Sequence, residues 1–126
     1  MKRARAFLHI GLPFVALALV LSAWTTEVRH NRLTRSEPAA DSTVAAPTEI
    51  RLWFSERPAA RLSSIILQAA DSSRIALGAV RATDDPLSIT APVEGALRAG
   101  QYGVTWRTSS GDGHVVRGRF VFRVRE

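Results

Sequence analysis

Residues 30–126 of this 126-residue chain are expected to form one all-β domain, a sandwich or a barrel, and three observations carry that expectation. Apolar and polar residues alternate with period two in short runs enriched in β-branched and aromatic residues. Clusters of Pro, Gly, Asp and Ser separate the runs at short intervals. No stretch carries the 3.6-residue periodicity of an amphipathic helix, although residues 94–99 allow a single helical turn.

Taken in order, the runs give about seven strands. Leu33 to Ser36 is a short first strand. Thr48 to Phe54 alternates, with Ile50, Leu52 and Phe54 on one face. Ser64 to Ala69 contains the apolar run Ile65-Ile66-Leu67, fit for a buried strand. Arg74 to Val80 is weaker, and Leu87 to Thr90 is short. Gln101 to Thr108 alternates through Tyr102, Val104 and Trp106. Val116 to Val124 does so through Phe120, Phe122 and Val124, with Arg119, Arg123 and Arg125 on the opposite face. The turn clusters between them are Pro47, Arg57-Pro58, Asp71-Ser72-Ser73, Asp84-Asp85-Pro86, Glu94-Gly95, Ala99-Gly100 and Ser110-Gly111-Asp112-Gly113. Trp53 and Trp106 read as core or strand-packing residues rather than a substrate platform.

Residues 1–29 stand apart from this pattern. Lys2, Arg3 and Arg5 precede an apolar run from Phe7 to Ala23, broken only by His9, Gly11, Pro13 and Ser22. That is the outline of a secretory signal. The run is near the lower limit for crossing a bilayer, so an uncleaved anchor over residues 7–24 is the alternative. Leu21-Ser22-Ala23 ends in a small residue, whereas Glu27-Val28-Arg29, directly before His30, is a poor cleavage context.

The whole chain carries 17 basic and 11 acidic residues, a net charge of +6. Residues 30–126 hold 13 arginines and ten acidic residues, a net +3, so much of the excess belongs to the leader. The domain's arginines are scattered along the sequence and lack interleaved exposed aromatics. They read as solvated strand faces, and no nucleic-acid partner is expected. Cysteine is absent, and the one methionine is Met1. Disulfides, thiol catalysis and thiolate or blue-copper ligation are thereby excluded.

Two motifs carry potential chemistry. His30-Asn31-Arg32-Leu33 opens the domain. Ser110-Gly111-Asp112-Gly113-His114 precedes the last strand. His30 and His114 are the only histidines of residues 30–126, and each lies in one of these motifs. A histidine near a new amino terminus and an Asp-x-His turn together offer nitrogen and oxygen donors of the kind Cu(II) prefers. The bland readings are a linker residue for His30 and an ordinary turn-former for Asp112. One of Arg107, Arg117 and Arg119 is a candidate to orient Asp112. A hydrolytic triad from Asp112, His114 and Ser109 or Ser110 would crowd into one turn, whereas triad members converge from separate elements. No enzyme activity is expected.

The domain resembles the copper resistance protein C (CopC-like) family of periplasmic copper-binding proteins. The resemblance runs from His30 to Val124. It rests on His30-x-x-Leu33-x-x-Ser36-x-Pro38-Ala39, on Pro47-x-x-Ile50-x-Leu52-x-Phe54-Ser55-Glu56, on Leu97-x-x-Gly100-x-Tyr102-x-Val104-x-Trp106-Arg107, and on Ser110-x-Asp112-Gly113-His114-x-x-x-Gly118-x-Phe120-x-Phe122-x-Val124. It implies a small Greek-key β-sandwich related to cupredoxins, in the periplasm. It also implies a Cu(II) site built from the imidazole and free α-amine of His30, with Asp112 and His114, and with Glu56 nearby. The family's methionine-rich Cu(I) loop is missing, which points to Cu(II) alone. A copper ion is the expected ligand, and an inner-membrane copper transporter is the partner such proteins work beside. The alternative is a membrane-tethered β-sandwich interaction module without metal.

Overall fold

The computed structural model describes residues 30–126, so the leader assigned to residues 1–29 lies outside the described residues. Nine strands follow in order: β1 (Leu33–Glu37), β2 (Thr43–Val44), β3 (Glu49–Phe54), β4 (Ser64–Ala69), β5 (Arg74–Ile75), β6 (Arg81–Ala82), β7 (Ser88–Pro92), β8 (Gly100–Ser109) and β9 (Val115–Val124). They form a four-stranded sheet, β1-β3-β7-β6, and a five-stranded sheet, β2-β9-β8-β4-β5. Successive strands cross between the sheets, β3 to β4 and β7 to β8, as in a Greek-key sandwich.

The alternation read from the sequence is what closes the sandwich. Ile50, Leu52 and Phe54 of β3 and Ile89 and Ala91 of β7 line the inner face of one sheet. Ile65 and Leu67, Tyr102, Val104 and Trp106, and Phe120, Phe122 and Val124 line the other. Each large side chain taken wholly out of water contributes about 1.5–3 kcal/mol, and this core stands without any disulfide. Phe54 and Trp106 meet edge to face across the sheets at 5.3 Å, joining the two layers near the end where His114 sits.

Trp106 needs room, and the facing strand supplies it. Gly118 lies opposite Trp106 in the β8–β9 ladder. A Cβ at Gly118 would stand 2.6 Å from the indole ring, so any side chain there would collide with a buried aromatic. Trp53 has the contrary placement, on the outer face of the four-stranded sheet. The guanidinium carbons of Arg35 and Arg51 stack over it at 4.2 and 4.7 Å, and its indole N–H donates to Asp85 at 3.1 Å.

Three elements depart from the sequence reading. The strand expected over Arg74 to Val80 is regular only at Arg74–Ile75. Beyond it the chain leaves the five-stranded sheet for the other one, with Leu77 bridging Val93 and the Gly78 N–H donating to the Pro92 carbonyl at 2.8 Å. β2 and β6, of two residues each, follow from the ladders they join rather than from any periodicity of their own. Residues 94–99 form no helical turn; Leu97 inserts into the core instead. A single 3-10 turn lies at Ala60–Leu62.

Gly118→Ala is expected to lower stability by about 1–3 kcal/mol through overpacking against Trp106. Chemical denaturation followed by Trp fluorescence measures it, and an unchanged midpoint would refute this packing.

Candidate metal centre

The Asp-x-His turn is the tip of the longest hairpin. β8 and β9 pair without a break from Gly100 opposite Val124 to Ser109 opposite Val115, leaving five residues, 110–114, to reverse the chain. Gly113 adopts φ +82°, a left-handed conformation that favours glycine, and its N–H donates to the Ser110 carbonyl at 2.9 Å.

This tight reversal folds three donors onto one carboxylate. The Ser110 hydroxyl donates to Asp112 Oδ1 at 2.6 Å, and the His114 backbone N–H donates to the same oxygen at 3.0 Å. The His114 ring meets Asp112 Oδ2 through Nδ1 at 2.8 Å. Asp112 therefore fixes the imidazole with Nδ1 as the proton-bearing nitrogen and leaves Nε2 turned outward as the free electron pair. Both side chains are open to solvent, His114 at 65% and Asp112 at 50% relative exposure, so a small ion can reach them.

The charges follow from these contacts. The Ser110 hydroxyl bond, then the bonds from the His114 ring and backbone, hold the Asp112 carboxyl far below its ordinary 3.8. The hydrogen bond to Asp112, and then its negative charge, raise His114 above the ordinary 6.5. The arginine expected to orient Asp112 is not there; Ser110 and His114 do that work, because the tip is too short to bring Arg107 or Arg117 back onto it. The Ser110 hydroxyl points to Asp112 rather than to His114, so Ser110 and His114 do not form a nucleophile–base pair.

His30 reaches this tip from the other sheet. Its ring stands edge-on to that of His114, with centroids 6.2 Å apart and planes at 88°. The residue that holds it there is its neighbour, Asn31, which is only 5% exposed. Asn31 Oδ1 accepts the Glu56 backbone N–H at 3.0 Å and the Ser55 hydroxyl at 3.3 Å. The Ser55 hydroxyl oxygen in turn accepts the Arg32 N–H at 3.0 Å, and the Ser55 N–H donates to the Arg32 carbonyl at 2.9 Å. These four bonds clasp the segment before β1 onto the end of β3. Asn31 went unremarked in the sequence because only tertiary structure buries its amide; the one available hint was a short polar side chain between His30 and the first strand.

His30, Asp112 and His114 thus come to the same end of the sandwich. Glu56 shares that end through its backbone bond to Asn31. No three His, Cys, Asp or Glu side chains among the described residues converge on one point that could hold a metal, so His30, Asp112 and His114, with or without Glu56, share one end of the sandwich without forming a preassembled ligand cluster.

The Asp112–His114 pair makes a prediction about pH. The His114 part of its stabilisation is present in full below 6.5 and is lost as pH rises through the elevated value. The Asp112 part is present above 3.8 and is lost as pH falls through the depressed one. In metal-free protein, NMR titration of His114 should give a midpoint above 6.5, and Asp112→Asn should return it toward 6.5. Identical midpoints in the two proteins would show that the pair does not form.

Comparison with known proteins agrees with this architecture. The family model described as the CopC domain matches residues 33–125. A copper resistance protein C of Escherichia coli is 33% identical over 114 residues, covering 85% of this chain and 90% of the relative. The crystal structure of PcoC, a methionine-rich copper resistance protein from Escherichia coli, superposes with a TM-score of 0.71 at 37% identity, over 76% of this chain and 99% of that one. CopC from Methylosinus trichosporium OB3b gives a TM-score of 0.69 at 30% identity, over 75% and 93% of the respective chains. The sandwich and the extent of these matches agree: the chain belongs to the CopC family of copper resistance proteins.

Proposed function

We propose that this protein binds Cu(II) after export and buffers or delivers it in the periplasm, without catalysis, through His30, Asp112 and His114. The observation that carries the reading is the pair of facing imidazoles, 6.2 Å apart between centroids, one of them locked by a carboxylate. A metal–imidazole bond of about 2.0 Å, with the rings' own half-widths, sets two rings on opposite sides of one ion about 6 Å apart. The donor chemistry agrees. The relative PcoC is described as methionine-rich, whereas the sole methionine here is Met1 and cysteine is absent. A site of imidazole nitrogen, carboxylate oxygen and amine nitrogen suits tetragonal Cu(II) better than Cu(I).

Within that site each residue has a distinct task. His114 offers Nε2. Asp112 keeps Nδ1 occupied and supplies negative charge beside the ion. His30 offers its ring and, where processing ends the leader at Arg29, its α-amine. Glu56 stands as an additional oxygen donor at the rim. Bound copper would be held by groups that must be deprotonated, so affinity falls in acid. An inner-membrane copper transporter is the partner we assign to the delivery step.

Exported protein, with its amino terminus read by mass spectrometry, should take up one tight equivalent of Cu(II) and give a nitrogen-rich type 2 electron paramagnetic resonance spectrum. His114→Ala should weaken binding by more than about 100-fold, since it removes a ligand rather than an outer-shell partner. Affinity equal to wild type in that variant would dismiss the site. A residue inserted before His30 at the mature terminus should weaken binding strongly; an unchanged affinity would exclude the α-amine as a ligand.

A further inference from the structure

The arginines that look scattered in the sequence are gathered by the fold. The strands of the five-stranded sheet contain Arg74, Arg107, Arg117, Arg119 and Arg123 and no aspartate or glutamate. All five arginines are exposed. The strand acids, Glu37 and Glu49, lie in the opposite sheet, and Asp84 and Asp85 flank it. There Arg35 pairs with Glu37 and Arg51 with Asp84, and both cover Trp53, while Arg81 of β6 stands alone at the edge. None of the ion pairs among the described residues involves an arginine of the five-stranded sheet. Acids occur only around its margins: Asp112 at the hairpin tip, held by Ser110 and His114, Glu126 after the end of β9, Asp71 in the β4–β5 turn, and Asp41 beside Arg123 in a shallow pocket of about 150 Å³.

The cross-strand register sharpens the imbalance. Arg107 stands directly opposite Arg117, a like-charge pair that weakens a sheet. Thr105 faces Arg119 and Gln101 faces Arg123, and the Arg123 guanidinium donates to the Gln101 amide oxygen at 3.3 Å. Arg119 lies flat over Gly103, where a Cβ would stand 2.8 Å from its guanidinium. From Arg117 to Arg123 the row runs about 20 Å along β9, at about 3.3 Å per residue.

We propose that this outer face docks on an anionic phospholipid surface. The guanidinium fork matches phosphate oxygens two at a time, and a row of them fits an array of headgroups. A peptide partner finds less to hold. The sheet's edges, β2 and β5, are two residues long and offer no length for strand addition, and the face carries no aromatic anchor. At the His114 end the face is rimmed by Leu62 and Val115, 61% and 42% exposed, which suit the boundary between headgroup and acyl chain. Docked this way, the molecule lies with its hairpin along the membrane and the His30–His114 end at the rim of the contact.

The test uses the full exported protein, copper-free, with phosphatidylcholine vesicles with and without roughly a third of phosphatidylglycerol. Wild type should co-sediment with the anionic vesicles in excess of the neutral ones and release as salt is raised. Arg119→Gln with Arg123→Gln should weaken the phosphatidylglycerol-dependent part by about tenfold or more. Arg81→Gln with Arg98→Gln removes the same charge from outside this sheet and should change it little; both variants should keep the wild-type Tm. Because all three proteins share one leader, any contribution from it cancels in the comparison. Equal loss in the two variants would reduce the effect to net charge and overturn the proposal. So would the absence of a phosphatidylglycerol-dependent part, displacement by millimolar inorganic phosphate alone, or capture by polyglutamate without vesicle binding.

Discussion

The β8–β9 ladder is the constraint on which the rest of this molecule depends. Ten consecutive residue pairs, from Gly100–Val124 to Ser109–Val115, fix three things at once. Their alternation sends Tyr102, Val104, Trp106, Phe120, Phe122 and Val124 inward as six of the fourteen buried core residues. The same alternation turns Arg107, Arg117, Arg119 and Arg123 outward onto one face. And because the ladder is unbroken to its tip, the reversal is confined to five residues, in which Asp112 and His114 have no choice but to meet. A slip of one residue would exchange core for surface and dissolve the tip together.

The second half of the site depends on a different kind of contact. His30 belongs to no ladder; it precedes the first strand and is exposed. It is delivered to His114 because Asn31 is buried against Ser55 and Glu56 at the end of β3, and β3 packs over Trp106 through Phe54. Burying an amide is favourable only where its polar atoms find partners. Asn31 Oδ1 finds two, while its amide nitrogen finds none among the described residues.

The two faces of the sandwich are chemically unlike. On the four-stranded sheet, Arg35 and Arg51 pair with Glu37 and Asp84 and stack on Trp53. On the five-stranded sheet the arginines stand without carboxylates. Charge separated in this way leaves the small net charge of residues 30–126 uninformative about partners, since the field near a surface depends on how charges are arranged as well as on their sum.

By itself the sequence determined the all-β class, the inward-facing residues and the pair of motifs in which the histidines sit, because period-two alternation and turn chemistry are local properties of the chain. It also determined the sulfur-free donor set, which is a matter of composition. Tertiary structure alone decided that His30 and His114 face one another, that Asn31 secures the approach of His30, and that Ser110 rather than an arginine orients Asp112. It likewise decided where the expected 74–80 strand ends and crosses between sheets, and that dispersed arginines form one face. These outcomes depend on register and on which strands become neighbours. Both are set by the packing of residues far apart in the chain, and no window along the sequence contains them.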